Sequence, residues 1–241
     1  PLFAQVLRRH TPKVDFDTGR QVSPQDFQAL VAAAAAGTAA TGVQAAGTLD
    51  AQRLPALRTL CWEAAKVELL TEATVMESVR LTRVGPGEIL RHRDGISLNA
   101  AMPRIANALG LFDRTRPPAE GSPAYRQMMA RFEGHSRTAM GFVWLATAGN
   151  GRAAQVEAGR AYVRLQLKAA ELGLGVHPMS QALQEFPAMR THYEQAHRLL
   201  LGRGAPRSAQ EPTLQMFCRL GYAAAEVPAT PRRPLRAFLE A

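Results

Sequence analysis

The stretch GRAYVRLQLKAAELGLGVHPMSQ, residues 159–181, decides how the chain folds. From Ala153 to Leu172 there is no proline and a single glycine, and most residues are good helix formers. Val156, Gly159, Val163, Leu167 and Ala170 recur at spacings of three and four, which predicts one apolar stripe and a buried helix. Arg160, Arg164 and Lys168 form a separate basic stripe. Gly159 and Ala161 leave room for another backbone to approach. Gly173 stands where a helix C′ residue with positive φ is wanted. On these residues alone the segment is a core helix with a solvated basic face that stops at a glycine-rich turn.

Outward from this helix, Ser23-Pro24-Gln-Asp26 reads as an N-cap, a proline at N1 and an acid at N3, opening a helix to about Ala36. Leu2–Arg9 reads as a short amphipathic helix, and Gly37–Gly47 as a loop. Asp50 caps a helical stretch through Trp62 and Met76 to Leu81, broken near Thr71. Gly85-Pro86-Gly87 reads as a breaker, Arg91–Gly95 as a turn, and Ser122-Pro123 as another helix start. Ala139–Ala146 is a continuously apolar run, a buried strand. Ala188–Leu201 is amphipathic. Leu214, Met216, Cys218 and Leu220 alternate with Gln215, Phe217, Arg219 and Gly221, the period of a second strand.

The 241 residues suffice for one large domain or two small ones, and 46% hydrophobic with 20% charged residues support a real core. A net charge of +9 and a pI of about 10.5 favour an anionic partner. Part of that charge is arginine replacing lysine, since Lys13, Lys66 and Lys168 are the only three lysines. Cys61 and Cys218 are too few and too far apart for a disulfide framework or a zinc site, which fits a reducing cytoplasm. No signal peptide or membrane span is visible. With 6% aromatic residues and no recognition-helix motif, nucleic acid is not the expected partner. His92, Asp94 and His135 have spacings that fit no metal motif, and no metal is expected.

Both ends of the chain are basic. Leu7–Phe16, LRRHTPKVDF, is either a basic helix end favoured by the macrodipole or an anion-binding strip, because the planar guanidinium forks of Arg8 and Arg9 suit phosphate oxygens. Near the other end, the prolines of Pro231-Arg-Arg-Pro234 stiffen the backbone and present Arg232 and Arg233 from an extended strip. Alone it would be an ordinary basic surface segment.

Together, the helix ending in Gly-Leu-Gly, the strand ending in Arg219-Leu-Gly-Tyr222 and the Pro-Arg-Arg-Pro tail resemble the C-terminal half of the FMN-dependent nitroreductase family. Residues 8–16 resemble that family's opening motif, Arg-Arg-Ser/Thr-x-Arg/Lys-x-Phe/Tyr. The match falls on Arg8, Arg9, Thr11 and Lys13, with His10 and Pro12 as departures. The resemblance implies an α+β nitroreductase-like sandwich, a mixed central β-sheet flanked by helices, as a single domain over residues 1–241. It implies FMN, bound by Arg8, Arg9, Thr11 and Lys13, the arginines and hydroxyl of that motif holding the phosphate, and by Arg232 and Arg233 from the opposite end, of which Arg233 is the one expected to contact the phosphate. The segment with Gly175, His177, Pro178, Met179 and Ser180 would lie beside the flavin ring. The implied activity is NAD(P)H-dependent reduction of a small electron-poor molecule, a nitro compound or a quinone, through the flavin and without a catalytic side chain.

Arg91-His-Arg-Asp94-Gly also resembles a subgroup of nitroreductase-like proteins in which two half-domains are fused and a lid covers the flavin pocket. Residues 38–135 match this subgroup-specific helical or lid region. The wider family carries a Pro-Ser-x-x-Asn-x-Gln-Pro-Trp segment whose Asn and Gln contact the flavin ring. Nothing here matches it, and Ala39–Gln44 is a poor substitute. Pro1–Phe16 resembles the start of the second half, so the expected assembly is either a homodimer or a chain lacking a preceding half-domain. The alternative function is a non-enzymatic flavin-binding or flavin-sequestering protein with a degenerate or covered site.

Overall fold

In the computed structural model, which describes residues 1–38 and 41–239, Ser23 caps the first helix by accepting the Asp26 N–H on its hydroxyl at 3.0 Å. A 3-10 turn (Leu2–Gln5) precedes α1 (Pro24–Ala35), β1 (Val43–Thr48), α2 (Leu54–Leu70), α3 (Glu72–Arg80), β2 (Thr82–Val84), α4 (Gly85–His92), β3 (Ile96–Leu98) and α5 (Ala101–Ala108). Then come α6 (Pro123–Arg137), β4 (Gly141–Thr147), α7 (Arg152–Leu172), β5 (Gly175–Pro178), α8 (Arg190–Leu201) and β6 (Thr213–Gly221). Further 3-10 turns lie at Ser180–Leu183, Pro187–Met189 and Leu235–Phe238. No helix among the described residues is long and apolar enough to cross a membrane.

The chain divides into two compact units, Pro1–Val67 with Ala130–Val227, and Glu68–Met129 with Pro228–Ala241. In the first unit the strand order is β1-β4-β6-β5, antiparallel throughout. One sheet face carries α1 and α7, with Leu30, Ala34, Val143, Leu145, Leu165 and Leu220 in the shared core. The other face buries Leu57, Leu60, Trp144, Ala196 and Phe217, and Phe142 stacks on Phe217 with ring centroids 5.0 Å apart. The fold is therefore α+β, a sheet between two helical layers. In the second unit β2 and β3 pair in parallel, so the expected mixture of strand directions is divided between two sheets.

Several expectations are met by named contacts. The α2–α3 break falls at Thr71, Ser122 accepts the Tyr125 N–H at the start of α6, and Gly173 ends α7 at φ +67°. Asp50 accepts the Gln52 N–H before α2. Others are overturned. The expected loop Gly37–Gly47 contains β1, and Ala39 and Ala40 lie outside the described residues. Val-Gln-Ala-Ala-Gly-Thr has little β propensity of its own; it is a strand because fully buried β4 supplies its ladder. The Gly85-Pro86-Gly87 breaker opens α4 instead, since proline is tolerated in a first turn.

The α7 stripe is rotated from expectation. Ala158, Ala161, Leu165 and Ala169 are buried, while Val156 is 50% and Val163 53% exposed. Small side chains line the buried side because α1 packs there. The alternation of β6 is broken by a bulge at Gln215, since Leu145 pairs with Met216 and Ala146 with Leu214. Leu214 therefore joins Phe217 on one face while Cys218 and Leu220 occupy the other.

The β1 register has a sharp consequence. A Cβ at Gly47 would meet the Phe142 carbonyl oxygen at 2.5 Å and the Phe27 ring at 2.8 Å. Gly47→Ala is expected to destabilise the protein by about 1–3 kcal/mol in equilibrium denaturation. An unchanged midpoint would mean that β1 does not lie on β4 in this register.

Candidate functional site

Arg219, on β6, is fully buried. Its Nε donates to His177 Nδ1 at 3.0 Å. One terminal nitrogen donates to the His135 carbonyl at 2.8 Å and the Thr138 hydroxyl at 3.3 Å. The other donates to the Val14 carbonyl at 2.5 Å and the Pro12 carbonyl at 3.5 Å. All five N–H donors of the guanidinium are thus engaged. The Phe16 ring lies 4.1 Å from Arg219 Cζ, in cation–π contact.

This guanidinium fixes the N-terminal segment on the sheet. Phe16 donates its N–H to the Thr138 hydroxyl at 3.0 Å and forms an isolated antiparallel bridge with Ala223. The Asp17 N–H reaches the Tyr222 carbonyl at 2.8 Å, and the Ala224 N–H reaches the Asp15 carbonyl at 3.0 Å. Arg8, Arg9, Thr11 and Lys13 are carried on the stretch entering this seam. Arg8 and Lys13 are exposed, while Arg9 and Thr11 are half-buried. Among the described residues, Arg8, Arg9 and Lys13 have no carboxylate within ion-pair distance. Gln166 links this side to β5, donating to both the Tyr162 hydroxyl at 2.6 Å and the Val176 carbonyl at 3.1 Å.

The β5 candidates share the first unit with these cations. A Cβ on Gly175 would meet Pro12 at 2.6 Å and Phe16 at 3.0 Å, so its bare Cα is demanded by the N-terminal segment. His177 is buried against Arg219, and Pro178 ends β5. Met179 is fully buried and its N–H donates to the Phe217 carbonyl at 2.8 Å. The Ser180 hydroxyl donates to the Phe217 carbonyl at 3.0 Å and accepts the Phe217 N–H at 3.1 Å. Arg232 and Arg233 belong to the second unit. There Arg233 pairs with Asp94, which Arg83 also holds at 3.0 Å, and the two guanidiniums keep the Asp94 carboxyl below its usual pKa. Arg93, in the left-handed region at φ 55°, donates to the Arg232 carbonyl at 2.6 Å.

The residues that organise the first unit's site were not foreseen. Arg219 sits on what reads as the polar face of a half-buried strand, and only the double burial of β6 shows it to be internal. His135 and Thr138 come from the C-terminal end of α6 and the residue just past it, and His135 meets His177 edge-on at 5.0 Å between ring centroids. Burial, then Arg219, pushes the pKa of His177 down to about 2. Burial, then Arg219 and Arg131, pushes His135 down to about 3, opposed by the Lys13 backbone against its ring. The Arg219 bond needs a lone pair on His177 Nδ1, which agrees with a neutral ring protonated at Nε2. Burial also lowers Arg219 to about 9, still charged at neutral pH. The site is therefore cationic with neutral imidazoles, and its chemistry suits an anion.

No family model and no curated protein matches the chain by sequence. Its fold does match solved structures. The FMN and NADPH-dependent nitroreductase NfnB from sphigopyxis sp. strain HMH is 16% identical, with a TM-score of 0.58 over 98% of this chain and 96% of that one. A BluB-like flavoprotein from Clostridium difficile 630 is 13% identical, with a TM-score of 0.57 over 99% and 97%. A nitroreductase with bound FMN from Bacteroides fragilis NCTC 9343 is 14% identical, with a TM-score of 0.52 over 97% and 95%. The chain has the nitroreductase fold.

The two depressed histidines set a pH dependence. In the unfolded chain each titrates near 6.5, while in the folded protein each stays neutral down to about pH 3 or 2. Their stabilisation is complete above pH 6.5, and it declines as pH falls because only the unfolded chain takes up protons. From pH 7 to pH 5 the loss should be about 2 kcal/mol per ring, read from urea midpoints. Equal stability at both pH values would show that these rings are not buried in the neutral form.

Proposed function

We propose that this chain binds FMN and reduces small electron-poor molecules, nitro compounds or quinones, with NAD(P)H as donor. The observation that carries the reading is the set of cations without carboxylate partners, Arg8, Arg9 and Lys13, on a segment fixed beside β5. The same fold holds FMN in the Bacteroides fragilis protein. The fit is chemical: guanidinium and ammonium donors lacking an internal counter-charge match a phosphate monoester. Arg8, Arg9, Thr11 and Lys13 would hold the phosphate, and the stretch from Gly175 to Ser180 would border the ring. When bound, FMN supplies the hydride chemistry, so the protein need only bind, orient and exclude water.

The ring end is less well furnished. The Ser180 hydroxyl and the Met179 N–H are already bonded to Phe217, and no Asn/Gln ring-binding segment is present in the sequence. Loss of three ring contacts at roughly 0.5–1.5 kcal/mol each would weaken binding about a hundredfold or more. This observation also supports the second reading, a flavin binder without turnover. Purified protein is expected to carry little FMN, and NAD(P)H oxidation with a nitroaromatic or quinone is expected only with excess FMN. Isothermal titration decides the affinity, and a submicromolar Kd would mean that other residues replace the missing partners. Bound FMN that NAD(P)H does not bleach would favour sequestration over catalysis.

We also propose that the functional form is a homodimer. Val156 and Val163 on α7 are half-exposed, and Phe3 and Leu7, on and just after the N-terminal turn that packs on α7, are 85% and 98% exposed, so the first unit leaves apolar side chains uncovered here. A second copy presenting the same face would bury both. Light scattering should give twice the chain mass for the wild type and the chain mass for Val163→Asp. A monomeric wild type would remove this part of the proposal.

A further inference from the structure

We propose that Arg93 and Asp94 form a two-point latch in the second unit. The latch holds the C-terminal strip, residues 230–234, closed on the turn between α4 and β3. It engages the arginines of that strip and shields the bond between them.

Two basic motifs far apart in the sequence, Arg91–Gly95 and Pro231–Pro234, meet here, and the function proposed above uses neither. Arg93 Nε donates to the Arg232 carbonyl at 2.6 Å, and Asp94 Oδ2 accepts from the Arg233 guanidinium. The other Asp94 oxygen accepts from Arg83 Nε, on β2, at 3.0 Å. Arg83 also donates to the Arg80 carbonyl at 3.0 Å, at the end of α3. One carboxylate therefore joins β2, the α4–β3 turn and the tail. The Arg232 side chain is taken up within the strip, by the Thr230 hydroxyl at 2.7 Å.

The turn holds these two residues against the tail. Arg93 is the one non-glycine residue with positive φ among the described residues, at 55°, and Gly95 follows at 71°. Glycine adopts this region freely and arginine does not, so contacts of the side chain must hold Arg93 there. A Cβ on Gly95 would run into the Leu81 carbonyl oxygen, and the Ile96 N–H bonds that same carbonyl at 2.9 Å. On the other side of the latch, Pro231 and Pro234 fix their own φ and favour extended backbone before them. The strip is stiff, and contacts at two neighbouring residues suffice to register it.

Asp94 is the only carboxylate within ion-pair distance of Arg233 among the described residues. Without it, Arg83 and Arg233 would meet at the turn as unbalanced like charges. The Arg233 side chain is still 49% exposed, so the latch opens without unfolding the unit.

The test is limited trypsin digestion of the full chain, followed by mass spectrometry. Trypsin cuts after arginine unless proline follows. Within the strip only the Arg232–Arg233 bond is open to it, and the Arg236–Ala237 bond just beyond serves as the reference. Wild type should be cut readily after Arg236 and slowly after Arg232. Asp94→Asn and Arg93→Gly leave the tail sequence unaltered. Each should speed the Arg232 cut relative to the Arg236 cut by about two- to tenfold, because cleavage follows the open population. Glycine suits φ 55°, so Arg93→Gly should keep the wild-type thermal midpoint or raise it, which separates an opened latch from a damaged unit. Equal cleavage after Arg232 in all three proteins would overturn the proposal. So would an Asp94→Asn protein that is cut faster throughout residues 68–129 while Arg93→Gly behaves as wild type, which would leave Asp94 with a structural role only.

Discussion

One buried guanidinium organises the first unit. Removing an arginine from water carries a penalty of several kcal/mol, and Arg219 is tolerable only because each of its donors finds an acceptor. Those acceptors come from three places: the N-terminal strip at Pro12 and Val14, the end of α6 at His135 and Thr138, and β5 at His177. Three of these acceptors are main-chain carbonyl groups, of Pro12, Val14 and His135. If Arg219 were absent, the carbonyl groups and the histidine would be orphaned together. A pair of hydrophobic residues can pack as stably, but it does not specify which carbonyls meet.

The same charge sets the electrostatics of its surroundings. Arg219 and burial act in one direction on His135 and His177, and both rings are held neutral. The charge on this side of the unit is therefore carried by Arg219 and by Arg8, Arg9 and Lys13 of the N-terminal strip. The local charge balance follows from how the fold is fastened, and the overall charge of +9 adds to it. The second unit handles its basic tail differently: Arg233 is answered by an internal carboxylate, Asp94, which Arg83 shares.

Much of the fold was legible in the sequence because local signals agreed with tertiary ones. Ser23, Ser122 and Gly173 each act where capping chemistry places them, and the α2–α3 break falls at Thr71. The apolar run at β4 is buried as a strand. Elements that depend on a partner were not legible. β1 has no strand pattern and exists by pairing with β4, and β2, β3 and α5 are short pieces of a small unit. The buried side of α7 was misread because alanines, which give a weak periodic signal, face α1, while two valines point outward. At the site, the basic N-terminal strip and the Arg219-Leu-Gly-Tyr222 strand end were visible as motifs. The burial of Arg219 was not, since an arginine on an alternating strand is ordinarily the solvent-facing member.

The candidate residues differ in what they have left to give a ligand. Along β5 and the following turn, hydrogen-bonding capacity is taken up internally: His177 by Arg219, the Met179 N–H and the Ser180 hydroxyl by Phe217. Gly175 is closed over by Pro12 and Phe16. On the N-terminal strip, Arg8, Arg9 and Lys13 keep uncompensated charge. A ligand with a phosphate at one end and a ring at the other would then be held mainly by the phosphate. Such affinity is electrostatic, falls with added salt, and discriminates between phosphorylated and unphosphorylated flavins more strongly than among ring systems. A cofactor bound in this way would be gripped by its phosphate even where direct contacts to its ring are few.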